Sequence, residues 1–64
     1  MMQRILRLPQ VREKTGLSRS SIYERMADGT FPVPYAIGPR AVGWLESEIE
    51  NWLSNLVEAG RKAA

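Results

Sequence analysis

Thr15-Gly16-Leu17-Ser18-Arg19-Ser20-Ser21-Ile22-Tyr23 is the stretch that decides the fold. Thr15 closes one short helical segment, and Gly16 supplies the left-handed residue on which such segments stop. Ser18 is a strong N-cap, because its hydroxyl accepts from the free N–H groups of a first turn, so a second helix starts at once. Ile22 and Met26 lie four apart and form an inward stripe with Leu17 ahead of them. Gly29 ends this second segment, which runs from Ser18 to Asp28. A link as short as Gly16-Leu17-Ser18 holds two short helices at a steep angle, which is the helix-turn-helix arrangement.

Upstream, the first segment runs from Leu6 to Thr15. Pro9 suits the first turn of a helix, where its missing N–H costs nothing. It pushes Leu8 toward extended backbone. Val11 faces inward, and a helix of about seven residues cannot stand alone.

Downstream, the prolines bar Phe31-Pro32-Val33-Pro34-Tyr35 from helix. Tyr35-Ala36-Ile37 and Ala41-Val42-Gly43-Trp44 read as short strands around a Gly38-Pro39-Arg40 turn. The prolines suit an edge strand. From Ser47 to about Ala59 a longer helix follows. Ser47 and Glu50 form a capping-box pattern, and Ile49, Trp52, Leu53, Leu56 and Val57 form one apolar stripe. Gly60 is its expected stop. The expected fold is therefore mainly α with a small β-hairpin: a winged helix-turn-helix of three helices plus a wing. The domain spans residues 1–60, and residues 61–64 form a frayed C-terminal tail.

Composition narrows the function. The chain has 64 residues, enough for one domain. With 44% hydrophobic and 25% charged residues it is globular rather than disordered. Trp44 and Trp52 read as core residues rather than as stacking platforms for bases. Cysteine and histidine are both absent, which excludes a disulfide framework and a Cys/His zinc site; no metal is expected. No run of 18 apolar residues predicts a membrane span. The N-terminus lacks the apolar core of a signal peptide, so the expected location is cytoplasmic. The serines have no partner base, and no glycine-rich phosphate loop is present. Neither a catalytic residue nor a cofactor nor a small-molecule ligand is expected.

Charge is distributed unevenly. Residues 1–40 hold seven basic and three acidic side chains, whereas residues 41–64 hold two basic and four acidic ones. A basic front half points to a polyanionic partner. On the second helix, at 100° per residue, Ser20, Glu24 and Ala27 fall opposite the Ile22–Met26 pole, with Ser21 and Tyr23 on the flanks. Arg19 stands at the helix start. Short hydroxyls, a tyrosine and an arginine there suit docking in a major groove, with the helix start near base edges and hydroxyls on phosphates. Arg40, just after Gly38-Pro39, is placed to enter a minor groove or grip a phosphate. Arg4 and Ser18 are candidates for further backbone contacts.

Leu6-Arg7-Leu8-Pro9-Gln10-Val11, the stretch from Thr15 to Tyr23, Gly29-Thr30-Phe31-Pro32, Ile37 to Trp44, and Glu48-Ile49-Glu50-Asn51-Trp52-Leu53 occur in that order. The set closely resembles the AlpA family of prophage regulators, which is related to phage excisionases and to the MerR-type DNA-binding domain. The resemblance implies a winged helix-turn-helix in a small bacterial or prophage transcription factor. By position it places Arg19, Ser20, Ser21, Tyr23 and Glu24 on a recognition helix, and Gly38, Pro39 and Arg40 on the wing. Double-stranded DNA is the implied partner, with a phage integrase or RNA polymerase as protein partners and weak self-association on DNA. Two alternatives stand beside a transcriptional regulator. One is an excisionase that bends DNA for an integrase. The other, from a different class, is a protein-binding adaptor or anti-repressor.

Overall fold

The turn between the first two helices is built from backbone and hydroxyl bonds. Gly16 takes a left-handed φ of 74°, and its N–H donates to the Arg12 carbonyl at 2.8 Å. The Thr15 hydroxyl donates to the Val11 carbonyl and accepts from the Leu17 N–H. Ser18 then caps the next helix, accepting from the Ser21 N–H at 3.2 Å. Around this turn, the computed structural model describes residues 4–63. Residues 1–3, which the sequence reading assigns to the domain, and Ala64 of its tail lie outside the described residues.

The chain order is β1 (Ile5–Leu6), α1 (Leu8–Thr15), α2 (Arg19–Ala27), β2 (Tyr35–Gly38), β3 (Ala41–Leu45) and α3 (Glu46–Ala63). The strands form one antiparallel sheet in the order β1-β3-β2. Ile5 pairs with Leu45 and Leu6 with Trp44. Tyr35 faces Gly43, Ala36 faces Val42 and Gly38 faces Ala41, with a register shift between Ala36 and Gly38. The wing is thus a hairpin with an added N-terminal strand, which no sequence pattern announced.

The core takes one buried side chain from almost every element. Leu6 comes from β1, Val11 from α1, Ile22 from α2, Phe31 from the link, Trp44 from β3 and Ile49 from α3. Leu8, Leu17, Met26, Trp52 and Leu53 pack against this cluster, partly buried. Strand β2 contributes none, being exposed along its length. Two indole N–H groups hold the Pro-rich link in place. Trp44 Nε1 donates to the Pro32 carbonyl at 3.0 Å, and Trp52 Nε1 donates to the Thr30 carbonyl at 2.6 Å. The Phe31 and Trp52 rings meet edge to face, 4.8 Å apart.

Several local expectations are corrected. Leu8 is helical, and the extended residue is Arg7, the N-cap. The proline effect on its neighbour is a preference, outweighed here by the bond from Val11 N–H to the Arg7 carbonyl and by the burial of Leu8. Gly38 ends strand β2, so the turn itself is Pro39-Arg40. Ser47 lies inside α3 rather than at its cap, because the helix starts directly after β3. The Glu46 N–H donates instead to the Arg4 carbonyl at 2.8 Å, a main-chain partner in place of a side-chain cap. Helix α3 also runs through Gly60 to Ala63. A glycine stops a helix by turning left-handed, and only Gly16 and Gly29 have positive φ among the described residues. The helix therefore outruns the core. Leu56 and Val57, expected on the inward stripe, are 46% and 54% exposed.

Gly43 is required by close approach. A Cβ there would overlap the Ile5 Cγ2 and lie 3.2 Å from the Leu6 carbonyl oxygen. Gly43→Ala is expected to lower stability by about 1–3 kcal/mol through overpacking, and Ile5→Ala in the same chain should recover part of that loss in urea melts. Trp44→Ala should cost about 3–5 kcal/mol and abolish the cooperative melt. Trp52→Ala, at a half-buried site, should cost less.

Candidate nucleic-acid interface

Helix α2 turns two faces in opposite directions. Ile22 is fully buried and Met26 half-buried, while Arg19, Ser20, Tyr23, Glu24 and Ala27 are exposed. This matches the helical projection of the sequence. The helix owes its orientation to Ser18. That side chain accepts from the Ser21 N–H and also bonds the Ser21 hydroxyl at 3.1 Å, which leaves Ser21 half-buried. Ser18 and Ser21 are thus engaged with each other, whereas Ser20 points out. The Arg19 guanidinium lies 5.3 Å from the centre of the Tyr23 ring. At the far end, the Asp28 N–H donates to the Glu24 carbonyl, and Gly29 turns left-handed.

The wing presents Pro39 and Arg40 at its tip, both exposed, with Gly38 beside them. A two-residue turn places the arginine directly at the end of the hairpin. Arg19 and Arg40 form no ion pair among the described residues, and neither do Arg7 and Arg12.

Arg4 is placed differently. Its guanidinium faces the Glu46 carboxylate at 3.7 Å. With Gln10, Glu13 and Lys14 it borders a shallow depression that includes no residue of α2 or of the wing turn. Lys14 bridges Glu46 at 3.3 Å and Glu50 at 3.2 Å, tying α1 to α3. The Tyr35 hydroxyl donates to Glu48 at 3.0 Å. The acidic start of α3 is thereby engaged within the fold. Such pairings join residues far apart in sequence and leave no local signal. Arg25 is another residue the sequence reading passed over; its guanidinium stacks 5.8 Å from the Trp52 ring.

Chemically, the arrangement offers a polar outward helix face, an arginine at each of its two projecting parts, and a helix start capped by the Ser18 side chain. Among the described residues no group of carboxylates, histidines or cysteines is gathered to hold a metal, and no helix is long and apolar enough to cross a membrane.

Helix-turn-helix, wing and exposed second helix together define a winged helix-turn-helix protein. A family profile described as "Prophage CP4-57 regulatory protein (AlpA)" matches residues 4–57, and the chain belongs to that AlpA family. It is 47% identical over 57 residues to the "DNA-binding transcriptional activator AlpA" of Escherichia coli (strain K12), covering 80% of this chain and 81% of that protein. It is 45% identical over 60 residues to "Uncharacterized protein ORF88" of Enterobacteria phage P4, covering 94% of this chain and 67% of that protein. No solved structure matches the chain.

The bonds around α3 favour the protonated forms of Lys14 and Tyr35. Glu50 and then Glu46 raise the Lys14 pKa above 10.5, and Glu48 raises that of Tyr35 above 10.0. Both groups are stabilised in their protonated forms. Their contribution is complete below the unfolded values and is lost as pH rises through the folded ones. Melting temperature is therefore expected to fall above about pH 10, and Lys14→Met with Tyr35→Phe should flatten that fall. Thermal melts across the alkaline range check it.

Proposed function

We propose that this chain is a sequence-specific transcriptional regulator of a prophage or other integrated element, binding double-stranded DNA in the cytoplasm and catalysing nothing. The observation that carries this reading is the outward face of α2: Arg19, Ser20, Tyr23 and Glu24 are exposed on a helix whose other side is locked into the core. Membership of the AlpA family and the activity named for the Escherichia coli relative support it.

The dimensions fit. With side chains an α-helix is roughly 10–12 Å across, which a major groove about 12 Å wide admits. With its N-terminal end toward the bases, the helix brings Arg19 and Ser20 to base edges. Glu24, one turn on from Ser20, is suited to accept from a cytosine amino group. Gly38, Pro39 and Arg40 form the second point of contact, on phosphate or in a minor groove. Ser18 and Ser21 act indirectly by fixing the start of the helix. Arg4 reaches phosphate only by leaving Glu46. RNA polymerase at a neighbouring promoter is the protein partner in this reading.

Selection of bound duplexes from a random pool tests the proposal, followed by a reporter assay at the promoter nearest the enriched site. No enriched sequence would sink it; an effect on excision with the element's integrase, and none on the promoter, would make the chain an excisionase instead. On the enriched site, Arg19→Ala is expected to cost about 1–3 kcal/mol and relax preference at one or two base pairs. Arg40→Ala should weaken specific and scrambled duplexes alike and flatten the log–log salt slope by about one unit. Titrations of both variants at several salt concentrations check the division of labour.

A further inference from the structure

We infer that Arg19 and Tyr23 form one reading unit for guanine, in which the Tyr23 ring is the positioning residue for the Arg19 guanidinium. This rests on the DNA-binding reading above and specifies what its first contact recognises. Arg19 and Tyr23 are four residues apart, so they lie one above the other on the same strip of α2. The guanidinium is 5.3 Å from the ring centre, within the range of a cation–π contact. Arg19 has no carboxylate partner and the Tyr23 hydroxyl no hydrogen bond among the described residues, whereas the hydroxyl of Tyr35 is held by Glu48. Tyr23 is 40% exposed, so its ring offers a surface to a neighbour rather than filling the core.

Stacking uses the π-face of the guanidinium and leaves its in-plane N–H fork free. That fork matches two acceptors side by side. Guanine presents N7 and O6 in the major groove, while adenine presents an acceptor beside a donor, which the fork cannot satisfy. A long arginine side chain normally loses rotamer freedom when it binds. Here the ring restricts it beforehand, so less is lost on contact. In this arrangement the aromatic face of Tyr23 does the work. Its hydroxyl is dispensable, in contrast to a tyrosine that grips phosphate.

The test uses the intact chain and the duplex enriched by selection, read as the ratio of affinities for that duplex and a scrambled one. Arg19→Ala should lower the ratio about 5- to 150-fold, with Arg19→Lys intermediate, because an ammonium can still donate to guanine but has no planar fork to stack on the ring. Tyr23→Ala should lower it about 5-fold or more, at the same base pair. The double variant should be no worse than Arg19→Ala within about twofold, since the two residues serve one contact. Tyr23→Phe should stay within about twofold of the unsubstituted chain, because it keeps the ring. Replacing the contacted guanine of the site by 7-deazaguanine, which lacks the N7 acceptor but keeps O6, should reproduce part of the loss and leave the Arg19→Ala protein unaffected. Melting curves verify that each variant is folded, and the 7-deazaguanine series needs no variant at all. A loss with Tyr23→Phe equal to that with Tyr23→Ala would assign the hydroxyl to phosphate and overturn the inference. So would additive losses, or a site indifferent to 7-deazaguanine at every guanine. A chain that enriches no sequence would instead defeat the DNA-binding reading itself.

Discussion

The burial of Trp44 is the constraint on which the other elements depend. Its ring lies fully buried on the middle strand, where β1 pairs with it from one side and α1, α2 and α3 each place one apolar residue nearby. Its N–H holds the Pro32 carbonyl, and so fixes the segment that carries the chain from α2 into the wing. Without that bond a buried indole donor would lack a partner, and the link would be held by the Trp52 bond to the Thr30 carbonyl. With it, the exit of α2 and the base of the wing are anchored on the same residue, although the outward face of α2 and the wing tip contribute little to the core.

Charge is sorted by the fold as well as by the sequence. Lys14 and Arg4 are drawn to the carboxylates at the start of α3, which neutralises those groups locally. Between residues 4 and 60, the cations left without carboxylate partners are Arg7, Arg12, Arg19, Arg25 and Arg40, and Arg25 is stacked on Trp52. A modest net charge of +2 is therefore compatible with a locally basic surface.

The central turn was legible because its signals are local. Gly16, Ser18 and Gly29 each act through their own backbone conformation or hydroxyl, and each behaves as its residue type predicts. The two faces of α2 followed from a period of 3.6 applied to Ile22 and Met26. What was not legible depends on distant partners. Strand β1 has only two residues and no alternation to detect; its partner lies near residue 45. The start of α3 was displaced from Ser47 to Glu46 by a main-chain bond from Arg4, and Gly60 remained helical. Leu56 and Val57 had the right period for a core stripe, but period alone does not say where the core ends. Of the candidate contacts, Arg19, Ser20, Tyr23, Glu24 and Arg40 are exposed, as their places on the expected helix and hairpin turn imply, while the Arg4–Glu46 contact that engages Arg4 was beyond local reading.

The one-residue-per-element core has a consequence for the lifetime of the chain. No pair of neighbouring elements retains a cluster of its own, so the domain has no stable sub-piece to fall back on. Opening that exposes the core then involves every element, whereas the exposed strand β2 and the part of α3 beyond the core can open locally. Proteolysis that needs the core exposed follows the population of that open state when reclosing is faster than cleavage. The lifetime of the chain is thereby tied to the packing around a single tryptophan.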